Sequence, residues 1–105
     1  MPLRDKVRDL ALALRDGGES RLAEHAESAA AGSDEQLLDF LTSNHLWGGA
    51  GSIADQAGGD KRTPQRRRIE TVLVALGHEQ LKTGQTNVRT EMWVSAFEEW
   101  ARRGI

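Results

Sequence analysis

The chain contains no cysteine, which removes disulfides, thiolate catalysis and cysteine-ligated zinc or iron–sulfur centres and leaves the fold to packing alone. It has no tyrosine and two phenylalanines against three tryptophans. Trp47, Trp93 and Trp100 therefore carry most of the aromatic surface, each needing about 150–250 Å² of contact, and core positions are the simplest place for them. No apolar run approaches the roughly 20 residues of a membrane-spanning helix. The start, MPLRDKVRDLALALRDGG, has the cationic end and leucine-alanine stretch of a secretory signal, but Asp5, Arg8, Asp9, Arg15 and Asp16 interrupt it. It reads as a mature amphipathic helix of a cytoplasmic protein.

Catalytic spacing is missing as well. His25, His45 and His78 form no HExxH pattern or other ligand spacing, so no metal or cofactor is expected. Ser43, Asn44 and His45 are neighbours in sequence, but adjacency does not align a base with a nucleophile, and there is no G-x-S-x-G setting. No enzyme activity is expected.

What is present is an ordinary globular composition: 105 residues, 38% apolar and 29% charged, with a formal net charge of −2. This is the length of one domain, residues 1–105, with enough apolar surface for a single core. Abundant arginine and alanine are compatible with a bacterial source. The charge is unevenly spread. Asp16 to Asp39 holds seven carboxylates against one arginine, whereas Lys61 to Arg68 holds five cations and no acid. Such blocks can pair within the fold, join two copies, or steer a charged partner.

Periodicity divides the chain into helices. Leu3, Val7, Leu10 and Leu14 repeat at helical spacing until Gly17-Gly18. Glu19 to Ala31 offers Leu22 and a shallow alanine face that permits close helix–helix approach. Ser33-Asp34-Glu35-Gln36 has the form of a capping box and opens a helix to about Thr42. Ser43 to Arg62 holds five glycines, and Ser52-Ile53-Ala54-Asp55 within it predicts a short helix over Ile53–Ala57, anchored with Leu46 and Trp47. Thr63-Pro64 opens the next helix, with threonine as cap and proline at the first position. Ile69, Val72, Leu73 and Leu76 form its main stripe, Val74 and Leu81 fall beside it, and Gly77 suggests close approach by another helix. Thr90 is the expected cap of a last helix, with Trp93, Ala96, Phe97 and Trp100 on one face and i,i+4 pairs Glu98/Arg102 and Glu99/Arg103. The fold expected is all-α, an irregular five-helix bundle with one helix short, packed around a central helix near residues 64–82.

Arg66, Arg67 and Arg68 crowd the first turns of that central helix, where the positive end of the helix dipole favours anions. The leading expectation is a non-enzymatic protein–protein interaction or regulatory module. It would use Arg62, Arg66, Arg67, Arg68 and Trp47 as contacts for a protein partner or a second copy, tryptophan and arginine being enriched at binding hot spots. One alternative is a nucleic-acid-binding regulator using the Arg62–Arg68 cluster, although a pI near 5.9 and the lack of a recognition motif argue against it. Another is a small-anion or nucleotide binder at the Gly48–Ser52 loop, through the amides of Gly49, Gly51 and Ser52, although GGAGS lacks the lysine and spacing of a P-loop.

Overall fold

The structure, a computed structural model, describes residues 2–57 and 63–104. Seven helices follow one another there: α1 (Pro2–Asp16), α2 (Ser20–Ala31), α3 (Asp34–Leu41), α4 (Asn44–Trp47), α5 (Ile53–Ala57), α6 (Pro64–Thr83) and α7 (Thr90–Arg103). The fold is all-α, as expected, but has more than the five helices anticipated. The six segments read as helical are all helical, and one-turn α4, inside the glycine-containing stretch, is the seventh. Among the described residues no helix is long and apolar enough to cross a membrane.

The local signals act as their chemistry requires. Leu3, Val7, Leu10 and Leu14 are all buried on α1, and Gly18 ends that helix at φ +79°, a conformation that costs glycine nothing. The alanine face of α2 is buried at Ala23, Ala26, Ala29 and Ala30. At the end of α2, Arg4 of α1 donates to the carbonyls of Ala30 at 2.5 Å and Gly32 at 2.8 Å, satisfying acceptors that a helix C-terminus leaves open. The capping box of α3 forms in both directions: Gln36 N–H donates to Ser33 Oγ at 3.1 Å, and Ser33 N–H donates to Gln36 Oε1 at 2.8 Å. Thr63 caps α6 by accepting from Arg66 N–H at 3.2 Å.

The buried apolar residues form one cluster. Helix α1 packs against α2 and α6, and α6 also packs against α5 and α7, so α6 does lie at the junction of several elements. Its burial is one-sided, however. Ile69, Leu73, Leu76, Gly77 and Gln80 are buried, Val72 and Val74 are half-buried, and Leu81 keeps 38% exposure. The second apolar flank is only partly covered, and that shortfall creates the groove described below.

One-turn α4 cannot satisfy its own backbone, and distant side chains do so instead. Asn87 Nδ2 donates to the carbonyls of Ser43 at 3.0 Å and Trp47 at 3.1 Å, and Trp93 Nε1 donates to that of Gly48 at 3.1 Å. Fully buried Gln80 accepts from Trp47 Nε1 at 2.7 Å and donates to the carbonyls of Leu41 at 2.9 Å and Gln85 at 2.8 Å. One amide thus joins α6, the end of α3, α4 and the connector before α7.

Helix α7 departs from expectation at both ends. Its cap residue is Arg89, with no side-chain cap bond. Thr90 is instead buried in the first turn, its hydroxyl accepting from Asn87 N–H at 3.1 Å. Near the other end, Arg102 pairs with Glu99 one turn back, and Glu98 reaches His78 of α6 at 3.2 Å. Tertiary proximity supplies Glu98 with a partner that helical spacing alone does not show.

Candidate functional site

The basic residues at the start of α6 have different fates, because successive helical side chains point about 100° apart. Arg66 is half-buried, donating to the carbonyl of Gln56 and standing 3.5 Å from Glu19. Arg68 pairs with Asp16. The acidic and basic blocks therefore meet within one chain. Arg67 is exposed and makes no ion pair with a described residue. The expected contact surface shrinks from three arginines to one, and Arg62 lies outside the described residues. Trp47 leaves the surface altogether: it is completely buried, because its indole N–H finds Gln80 and its ring fills the space beside Gly77. As a partner contact it is corrected to a core residue.

The glycine loop is likewise corrected. Gly51 N–H donates to the Asp55 carboxylate at 3.0 Å and Ser52 N–H donates to the Gly49 carbonyl at 3.1 Å. Ser52 is buried and its hydroxyl accepts from Asp55 N–H at 3.1 Å. Two of the three amides expected to meet an anion, those of Gly51 and Ser52, are occupied, and the group occupying that of Gly51 is itself an anion. The loop is a cap for α5. Its glycines answer steric needs: a Cβ on Gly48 would lie 2.1 Å from the Asn44 carbonyl oxygen, and Gly51 sits at φ +86°.

His25 of α2 and His45 of α4 stack face to face, with centroids 5.6 Å apart and planes 13° from parallel. Nearly parallel rings aim their in-plane lone pairs side by side instead of converging on one ion. No group of three histidine or carboxylate side chains among the described residues is placed to hold a metal.

What the residues assemble is a groove between α6 and α7. At Gly77 the helices touch: a Cβ there would lie 2.2 Å from Val94 Cγ2 and 3.4 Å from the Trp47 ring. The close approach anticipated for Gly77 is real, and nearer the start of α6 the contact opens into a groove of about 340 Å³ lined by Arg67, Glu70, Thr71, Val74, Phe97, Glu98 and Ala101. Residues 67, 70, 71 and 74 share one side of α6, and 97, 98 and 101 one side of α7, as helical spacing dictates. Phe97 is backed by Trp93 at 5.5 Å and Trp100 at 5.6 Å between ring centroids, so aromatic rings lie behind the floor. Of these residues, Arg67 was singled out from the sequence. Val74, an apolar residue off the main stripe that the fold leaves half-covered, and Phe97, on the apolar face of the last helix, are further signals in the sequence.

Comparison with family models, with curated proteins and with solved structures finds no match for this chain.

Proposed function

We propose that this chain is a non-enzymatic protein-interaction module and that it receives an apolar segment carrying a carboxylate, from another protein, in the groove between α6 and α7. The observation that carries this reading is the state of Arg67. It is the arginine of the cluster left without a described acid, and it stands at the rim of an apolar floor formed by Val74, Phe97 and Ala101. A guanidinium beside an aromatic-backed pocket is the combination that concentrates binding energy at protein interfaces. Its planar fork also suits a carboxylate. The groove lies near the lower end of the volumes that enclose small ligands, about 300–1,000 Å³, and its open rim between two helices suits one or two side chains of a peptide.

A displayed peptide library selected on the wild-type protein tests this reading. Selected peptides should pair an acidic residue with a nearby apolar one. Their affinity should fall about tenfold or more in Arg67→Glu and change little in Arg68→Gln, whose guanidinium is already paired. Equal binding to the wild type and Arg67→Glu, or peptide cross-links mapping away from α6 and α7, would remove the assignment.

A further inference from the structure

The two stacked histidines belong to a second cavity, built by other elements than the groove between α6 and α7. Arg21 and His25 lie four residues apart on α2 and share one of its sides. His45 reaches the same place from one-turn α4. With Leu22, Gly51 and Ile53 these residues line a cavity of about 180 Å³. Its three basic side chains are exposed, and apart from the stacking of the two rings none of them makes a hydrogen bond or ion pair with a described residue. No described acid lines the cavity. Asp39 of α3 lines a neighbouring cavity that the same two rings border, and Asp55 of α5 accepts from Gly51 N–H at 3.0 Å. Glu24 and Glu27 of α2 lie toward Arg15 of α1 instead.

We infer that Arg21, His25 and His45 bind a tetrahedral oxyanion, a phosphate or sulfate group, through their side chains. Imidazole is the side chain that changes charge between about pH 5 and 8. Two such rings stacked face to face resist holding a proton each, because like charges disfavour one another. An anion beside both rings removes that opposition, and Arg21 adds a charge that does not depend on pH. Rings lying side by side do not converge on a metal ion, but they suit an ion with several oxygens, each ring donating to its own. Volume narrows the class. About 180 Å³ is below the roughly 300–1,000 Å³ that encloses a drug-sized ligand, and it admits a single anionic group. The loop amides take no part, that of Gly51 being held by Asp55.

The test is a pH titration of the full chain followed through its histidine ring signals by NMR, in sodium phosphate, sodium sulfate and sodium chloride at equal ionic strength. Phosphate or sulfate should raise the titration midpoints of His25 and His45 above those in chloride, and should leave unmoved that of His78, which pairs with Glu98 elsewhere. Sulfate stays doubly charged throughout, so the fall in its affinity, about tenfold or more from about pH 6 to about pH 8, reports the rings alone. Arg21→Gln should weaken sulfate binding about tenfold with the helical circular dichroism unchanged, and Arg8→Gln, on α1, should bind like the wild type. Tighter binding of phosphate than of sulfate assigns the site to a phosphate group, and the reverse order to a sulfate group. Midpoints that agree in all three salts, an equal anion effect at His78, or binding indifferent to Arg21→Gln overturns the inference. None of these results bears on peptide binding between α6 and α7.

Discussion

Gln80 carries more of the structure than its residue type suggests. A glutamine in the last turns of a helix reads from sequence as a solvated position, yet this one is fully buried and serves the Trp47 indole and two carbonyls from other segments. Buried polar groups are stable only when paired, and removing one partner leaves the others with their full desolvation cost. Gln80→Leu keeps the approximate volume and removes all three bonds. The expected loss is about 2–4 kcal/mol of unfolding free energy, read from urea denaturation, with a shift in tryptophan fluorescence as the Trp47 N–H loses its acceptor. A loss below about 1 kcal/mol would show that water replaces the amide. Helical spacing continues the stripe of Ile69, Leu73 and Leu76 to position 80, but it does not show the partner that pairs the buried amide, a tryptophan 33 positions earlier in the chain.

At the scale of elements, the helices themselves were legible, and their contacts were only partly so. Capping signals at Ser33, Ser52 and Thr63 are local, involving atoms within a few residues of one another, which is why they can be read before any fold is known. The one-turn α4 was not legible: its carbonyls are satisfied by Asn87 and Trp93, some 40 residues away. Gly77 lies between these cases, since a glycine inside a helix signals a neighbour without identifying it. Two effects oppose each other in Gly77→Ala. Helix propensity favours alanine by about 1 kcal/mol, but the new methyl would meet Val94 at 2.2 Å, and overpacking of a stiff branched side chain costs about 1–3 kcal/mol or more. The clash should win, lowering stability by about 1–2 kcal/mol. In the Gly77→Ala/Val94→Ala double variant the two changes should be less damaging together than their separate effects sum to. A stabilised single variant would mean that α7 moves away easily, and that the groove beside it is adjustable.

For the molecule as a whole, the uneven charge of the sequence is resolved by folding. The acidic segment runs along α2 and α3, and cations from α1 before it and α6 after it reach it: Arg4 meets Asp34 at 2.8 Å, Arg15 meets Glu27 at 2.6 Å, and Arg66 meets Glu19 at 3.5 Å. The Arg15 hydrogen bonds hold the Glu27 carboxyl below its ordinary pKa, and the same bonds raise that of Arg15. A carboxylate whose folded pKa is depressed adds stability above its unfolded pKa, and that increment is lost as pH falls through the folded value. In dilute protein the urea midpoint of the wild type should therefore exceed that of Glu27→Gln at neutral pH. The gap should close as pH falls below the ordinary carboxylate range and stay level toward mildly alkaline pH. A gap independent of pH would assign the difference to packing. The sequence by itself determined the all-α class, the helix starts at Ser33, Ser52 and Thr63, the glycine stop after α1 and the buried seam of α1, because these follow from propensity, capping and periodicity within a few residues. Only the tertiary structure decided which charges pair, where Trp47 lies and which of Arg66, Arg67 and Arg68 makes no ion pair with a described residue. Those outcomes depend on distances between segments far apart in the chain, which local spacing does not encode.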